Sequence, residues 1–289
     1  MHVLRSFDDG HAMTQRLALS VAVLLLAFCV SSNASRADNA LLTVLSFNVE
    51  SDRDTDPGKV AEDIAAISKD VDLVGLVEVF DERDAKTYAD AVERPGNQFR
   101  YLMGRHGNED SMAILYNLNT LKFKEVYELD RFPGSRKALV GRFRHKDAGI
   151  EFLFIVNHFN RGDVDRRQRQ AKLIRDWVLA QKLPAILVGD YNFDFNPETM
   201  KGNTAFDIFT SKKGLVWIRP ECLGDSSCPQ TGTQCDRRYN SIMDFVFVAD
   251  QRRGWQGLSD VLMKRTDYCE RERRGHADHR PVLGVIAIQ

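Results

Sequence analysis

Ala185-Ile186-Leu187-Val188-Gly189-Asp190-Tyr191-Asn192 is the stretch on which the reading of the whole chain turns. Its four leading apolar residues, three of them branched, predict a short buried strand, and Gly189 lets the backbone turn where the strand ends. Asp190 and Asn192 follow two apart. With the chain still extended there, both side chains leave on the same side of a rigid strand end. A carboxylate beside a carboxamide is equipped to take a proton from water and to hold a phosphate oxygen. Alone, the stretch is better explained as a strand ending in an Asx-rich turn, so its meaning rests on its surroundings.

Working outward, Arg166 to Ala180 predicts a helix with Leu173, Ile174, Trp177 and Val178 as its apolar stripe. Before it stand strands at Phe99–Met103, Met112–Tyr116, Lys122–Leu129, Ala138–Arg144 and Glu151–His158. Nearer the start, strands Leu41–Val49 and Asp72–Val79 alternate with helices Pro57–Ser68 and Arg83–Val92, and Val60, Ile64 and Ile67 share one helix face. Past Asn192 the chain reads as irregular, with a cysteine-bearing loop over 219–240, before strands Ile242–Val248 and Pro281–Ile288. Roughly ten strands and four helices, with the strands grouped rather than strictly alternating with helices, predict an α+β fold in one domain.

The first 37 of the 289 residues read as a removable secretory signal. An apolar run from Leu17 to Val30 follows Arg16, and Ser35-Arg36-Ala37 supplies small residues at a cleavage point. Asp8 and Asp9 spoil the basic leader, an objection that a start at Met13 removes. Phe28 before Cys29 is too large for lipoprotein cleavage, so no membrane anchor is expected, and the expected location is secreted or periplasmic. Residues 38–289 form the expected single catalytic domain. Without residues 1–37, the 40 basic and 41 acidic residues fall to 37 and 39, so no global basic excess advertises nucleic acid. Local basic stretches do occur, at Arg161–Arg175 and Lys264–Arg274. Cys222, Cys228, Cys235 and Cys269 remain after the leader, an even number that suits two disulfides in an oxidising compartment. Three pairings are open, the simplest being Cys222–Cys228 with Cys235–Cys269.

Several apolar strands end in, or run through, residues suited to metal or phosphate work. These are Asn48, Glu78, Asn157-His158, Asp190 and Asn192, Asp244 and, just before the last strand, Asp278-His279. Each has an ordinary structural explanation as well: a turn residue for Asn48, an exposed strand end for Glu78, a satisfied edge histidine for His158. Asp244, inside Ile-Met-Asp-Phe-Val-Phe-Val, is harder to explain that way. A buried carboxylate costs several kcal/mol unless paired, and His279 is its natural partner.

Taken in order, Ser46-Phe47-Asn48, Leu76-Val77-Glu78-Val79, Val156-Asn157-His158-Phe159, Gly189-Asp190-Tyr191-Asn192, Met243-Asp244-Phe245 and Asp278-His279-Arg280-Pro281-Val282 resemble the endonuclease/exonuclease/phosphatase superfamily, of the deoxyribonuclease I and AP-endonuclease type. Each motif is weak and the ordered set is specific, covering essentially the whole mature chain. Val77 departs from the glutamine usual before the metal-binding glutamate, and Glu50 and Asp52 alter the first loop. The resemblance implies a four-layer αββα sandwich of two packed mixed sheets and metal-dependent phosphoester hydrolysis. It implies that Glu78, with Asp278 and Asn48, binds Mg²⁺ (Ca²⁺ or Mn²⁺ as substitutes), that Asp190 handles the attacking water, and that Asn192 positions the phosphate. His279, held by Asp244, would stabilise charge on phosphorus, and His158 would serve as acid for the leaving oxygen or as a phosphate contact. The chemistry stands without the family, because hard oxygen ligands select such cations over zinc.

Asn157-His158-Phe159-Asn160-Arg161 is similar to a segment of bacterial secreted nucleases, which makes Asn157 and Arg161 candidate phosphate contacts. Arg166, Arg167 and Arg169 follow, with Arg167 and Arg169 read as the solvated face of their helix. No exposed aromatic hairpin suggests membrane docking. The expected function is a secreted or periplasmic nuclease, monomeric, acting on DNA, RNA or both. The alternative is a phospholipid phosphodiesterase of sphingomyelinase type or an inositol-phosphate phosphoesterase.

Overall fold

The apolar runs at Ala185–Val188 and Ile242–Ala249 are strands buried on both faces, whereas the apolar run Val282–Ile288 is buried on one face and half-buried on the other. In the computed structural model, which describes residues 40–50, 55–213, 215–225, 232–235, 241–250, 254–262 and 275–289, twelve strands and four helices are present. In chain order these are β1 (Ala40–Asn48), α1 (Pro57–Ile67), β2 (Leu73–Val79), α2 (Glu82–Val92), β3 (Phe99–Met103), β4 (Ser111–Asn117), β5 (Leu121–Glu128), β6 (Leu139–His145), β7 (Glu151–His158), α3 (Val164–Leu179), β8 (Ala185–Phe195), α4 (Thr204–Thr210), β9 (Leu215–Trp217), β10 (Ile242–Ala249), β11 (Gln256–Val261) and β12 (Val282–Ile288). Residues Asn39–Gln289 make one compact unit. The expected leader, Cys228, Cys269 and the basic stretch 264–274 lie outside the described residues; neither Cys222 nor Cys235 is a free thiol.

The strands form two six-stranded sheets, in the orders β11-β12-β1-β2-β4-β3 and β5-β6-β7-β8-β10-β9. Each sheet is mixed: β1–β2 and β7–β8 are parallel, and the other pairings are antiparallel. Three apolar layers hold them together. Leu42, Val44, Leu73, Val156, Ile186, Val188 and Val246 fill the space between the sheets. Ile174, Val178, Leu187, Tyr191, Phe193, Phe209 and Phe247 pack α3 and α4 onto the second sheet. Val60, Ile64, Val74, Leu76, Tyr88 and Val92 pack α1 and α2 onto the first. This is the expected αββα sandwich.

Alternation along each strand fixes which residues face which layer. In β8, Ile186 and Val188 point between the sheets while Ala185, Leu187 and Tyr191 point to the helices. Gly75 in β2 lies close against the second sheet: a Cβ there would stand 2.3 Å from Val188 Cγ2.

Four elements differ from the sequence reading. The strand beginning at Ala185 runs on to Phe195, α4 and β9 occupy the stretch read as irregular, and β11 lies between the last two expected strands, where no element is expected. Helix α4 and strand β9 span seven and three residues, too short for periodicity to register. The cap of α4 is nevertheless explicit, since Asn203 Oδ1 accepts from the backbone of Ala205 and Phe206.

Candidate active site

Strand parity carries a row of polar residues to one end of the inter-sheet layer. Ser46 and Asn48 continue the inward series of Leu42 and Val44, His158 that of Phe154 and Val156, Asp190 that of Ile186 and Val188, and Asp244 that of Val246 and Val248. Register then makes them neighbours, since Asp190 lies opposite His158 in β7 and opposite Asp244 in β10.

Gly189 makes the junction possible. Its φ is +128°, and a Cβ would fall 1.9 Å from the Asn157 carbonyl oxygen. Its N–H donates to Ser46 Oγ at 2.9 Å, which ties the two sheets together beneath the site. Asn192, with φ +49°, is left-handed rather than extended. Its backbone N–H turns back to Asp190 Oδ1 at 2.8 Å and its Nδ2 donates to the Phe159 carbonyl at 3.0 Å.

Glu78 reaches the site by a different route. Alternation places Val74 and Leu76 on the helix side, so Glu78 belongs there too. The β2–β4 register slips between Leu76 and Val79, and Glu78 takes φ +60°. This bulge gives the helix-side slot to Val79 and turns the carboxylate inward. A left-handed glutamate is costly backbone, of the kind concentrated at functional sites. Asn48 Nδ2 bridges Glu78 Oε1 at 2.8 Å and Asp190 Oδ2 at 3.4 Å.

Two histidine–aspartate pairs flank Asp190. His279 Nδ1 meets Asp244 Oδ2 at 2.6 Å, both groups buried. His158 Nδ1 meets Asp110 Oδ1 at 3.1 Å, and its Nε2 lies 3.7 Å from Asp190 Oδ2 and 3.6 Å from Glu78 Oε1. Burial and then the Asp244 charge push the Asp190 carboxyl up to about 6, against the pull of the two imidazoles. Burial alone would lower the His279 value, but the Asp244 carboxylate overrules it and holds the ring well above the usual histidine range.

Asp110 and its partner Arg136 were missed by the sequence reading. The residue is a carboxylate directly before a buried strand, in Asn108-Glu109-Asp110-Ser111-Met112, and that position was the available signal. Arg136 Nη1 reaches Asp110 Oδ2 at 2.5 Å and its Nη2 donates to the Phe159 carbonyl at 3.3 Å. Burial would raise the Asp110 carboxyl, yet His158 and Arg136 together hold it below its ordinary value.

The remaining expected residues are placed as follows. Asp278 lies at the rim, 47% exposed, with Oδ1 3.7 Å from His279 Nε2. It is not in the tight clusters Glu78–Asp110–His158 and Asp190–Asp244–His279. Arg161 reaches the site's edge, where the Gln234 amide oxygen, oriented toward it, accepts from both Nη atoms at 3.0 Å. The Gln234 backbone pairs with that of His279 in an isolated antiparallel β-bridge. Asn157, expected as a phosphate contact, is fully buried on the helix side, because it is the strand neighbour of His158 and must face the other way. Its Nδ2 donates to the Tyr191 hydroxyl at 3.1 Å. Arg167, expected on a solvated face, is buried and binds the carbonyls of Asn160 and Arg161 at 3.0 and 2.6 Å. Arg169 is exposed as expected.

The donor set suits a hard cation. Asn192 Oδ1 and Asp244 Oδ1 are buried oxygens without a hydrogen-bond partner among the described residues. Among those residues, neither Glu78 nor Asp190 forms an ion pair with a lysine or arginine; the Asn48 amide and the His158 ring are what they share. The side chains of Glu78, Asp278 and Asn48 carry oxygen atoms of the type that Mg²⁺ and Ca²⁺ take, the Asn48 Oδ1 also accepting from the Glu50 N–H at 3.0 Å.

Three solved structures share this architecture. A mannosyl-6-phosphatase of Bacteroides thetaiotaomicron aligns with a TM-score of 0.63 at 24% identity, over 86% of this chain and 100% of that one. TDP2 of D. rerio, complexed with a single-strand DNA product, aligns at 0.66 and 13% over 86% and 99%. The human Nocturnin catalytic domain, with a bound sulfate anion, aligns at 0.61 and 17% over 86% and 95%. A search of curated proteins finds no match. The family model described as Endonuclease/Exonuclease/phosphatase family matches residues 45–260, and the chain belongs to that family of phosphoesterases.

Proposed function

We propose that this phosphoesterase is an exported, divalent-metal-dependent nuclease hydrolysing DNA, RNA or both. The observation that carries the reading is the buried Asp190 carboxylate, set between two histidines that each have an aspartate partner. Phosphodiester cleavage needs a base for water, positive charge beside the pentacoordinate phosphorus and a proton for the leaving alkoxide. Asp190, ionised above about pH 6, takes the proton of the attacking water. The His279 imidazolium faces the phosphoryl oxygens, and His158 Nε2–H protonates the departing oxygen as its bond to phosphorus breaks. Asn192 contributes through its backbone N–H, which fixes Asp190, because its amide nitrogen is committed to Phe159.

Glu78, Asp278 and Asn48 would hold the cation, Mg²⁺ by preference with Ca²⁺ or Mn²⁺ as substitutes. The bound ion supplies Lewis-acid stabilisation of a phosphoryl oxygen. Arg161, fixed by Gln234 at the rim, suits a flanking phosphate of a polymer. Export, cleavage near Ala37, two disulfides and a monomeric state complete the proposal. Among the described residues, no helix is long and apolar enough to cross a membrane.

The test is a panel of plasmid DNA, RNA, bis-p-nitrophenyl phosphate, sphingomyelin, inositol phosphates and a sugar 6-phosphate, each with Mg²⁺ or with EDTA. The expected result is EDTA-sensitive cleavage of nucleic acid and of the nitrophenyl diester. Intact DNA and RNA between about pH 5 and 9, with cleavage of one of the other substrates, would overturn it.

A further inference from the structure

Beyond the site lies a third acid–imidazole contact, which the chemistry above does not use. His276 Nδ1 meets Asp63 Oδ2 at 2.5 Å, with the two side chains 13% and 2% exposed. Asp63 sits on the apolar face of α1, beside Val60 and Ile64, where a carboxylate is costly unless it is paired. His276 begins the segment that delivers Asp278 and His279. Gly275 is fastened to the same helix, its carbonyl accepting from the Asp56 N–H at 2.8 Å, and Ala277 is buried in the layer between the first sheet and its helices.

The other end of the segment is fastened elsewhere. The Asp278 carbonyl accepts from Cys235 N–H at 2.8 Å, and the Arg280 N–H donates to the Thr233 carbonyl at 2.6 Å. Thr233 Oγ1 accepts from the N–H groups of Met243 and Asp244 in β10, and His279 is held by Asp244 itself. The segment therefore spans from a helix on the first sheet to a strand of the second. His279 has its side chain anchored on the second sheet, whereas among the described residues the Asp278 side chain has no hydrogen bond and stands 3.7 Å from His279 Nε2, so its place follows the segment held between the two anchors.

We infer that His276 and Asp63 are positioning residues for the cation site: their contact sets the Asp278 carboxylate without touching substrate. The inference rests on the proposed role of Asp278 as a ligand. Groups that orient ligands in this way typically change metal affinity by about 10–100-fold when lost.

The experiment is calorimetric titration of Mg²⁺ into wild type, Asp63→Ala, His276→Ala and the double variant, with Asp63→Asn as the shape-conserving control. Circular dichroism and thermal unfolding accompany each, and kcat is taken at saturating Mg²⁺. The expected result is a Kd for Mg²⁺ about tenfold weaker or more in both alanine variants, and no worse in the double. Asp63→Asn shifts less, and kcat at saturating metal stays within about threefold. Adding Asp63→Ala to Asp278→Asn gives no further weakening. An unchanged Kd in folded Asp63→Ala or Asp63→Asn overturns the inference, as does an equal shift in the Asp278→Asn background. A wild-type protein that binds no Mg²⁺ overturns the metal reading instead, so the two failures are distinguishable.

Discussion

His279 with Asp244 and His158 with Asp110 are the same chemical pair built in two surroundings. Asp244 sits on a central strand with a fully buried side chain, and its carboxylate serves His279 alone among basic groups in the described residues. Asp110 sits on a turn, 36% exposed at the side chain, and divides its two oxygens between His158 and Arg136. A carboxylate with one cationic partner concentrates its field on that partner, and one shared with a guanidinium is partly neutralised before the imidazole feels it. Under the proposed mechanism the first pair faces the phosphoryl oxygens and the second serves the leaving oxygen.

The largest effect expected from breaking this asymmetry is at the deep pair. His279→Ala should lower kcat by about 10²–10³, as for loss of a charge-stabilising group, on nucleic acid and on bis-p-nitrophenyl phosphate alike. Next, His158→Ala should cost about 10² on nucleic acid but far less on the nitrophenyl diester, whose leaving group needs no acid. Equal losses on both substrates would remove the division of labour. Removing the shared cation is milder: Arg136→Leu should lower kcat about tenfold, with Arg136→Lys recovering only part because it cannot bridge Asp110 and Phe159 in the same plane.

The pH dependence tests both sides of Asp190. The rate should rise through about pH 6 as its carboxyl ionises, and fall where His279 loses its proton, well above the usual histidine range. The stability signs are opposite to a salt-bridged acid. A carboxyl raised on folding makes the native state bind more protons, so its contribution falls as pH rises from about 4 to about 6. Asp190→Asn should therefore raise the urea midpoint at pH 7 while abolishing activity. The raised His279 contributes stability that is fully present below about 6.5 and is lost as pH climbs through its folded value. Asp244→Asn should flatten that part of the curve.

Glu78 and Asp190 show how much of the site was legible. Both were visible as carboxylates at the end of apolar strands, and the strand bounds differ from the sequence reading mostly by a residue or two. For Asp190, parity along β8 was enough to aim the side chain. For Glu78, parity gives the wrong face, and only the bulge in β2 corrects it. Asn157 is the converse, since it reads well beside His158 and yet must face the helices.

What the sequence determined by itself is what repeats locally: apolar strands of period two, their grouping into sheets, and the polar residue types waiting at their ends. The tertiary structure decided which of those residues meet. His158 and Asp110 are 48 residues apart, and His276 and Asp63 are 213 apart. Such contacts depend on the register of separate strands and on turns that no local pattern encodes, and they exist only once both sheets have packed. In Gly189-Asp190-Tyr191-Asn192 the two levels join, because the chain supplies a carboxylate on a rigid strand and the fold surrounds it with two paired histidines.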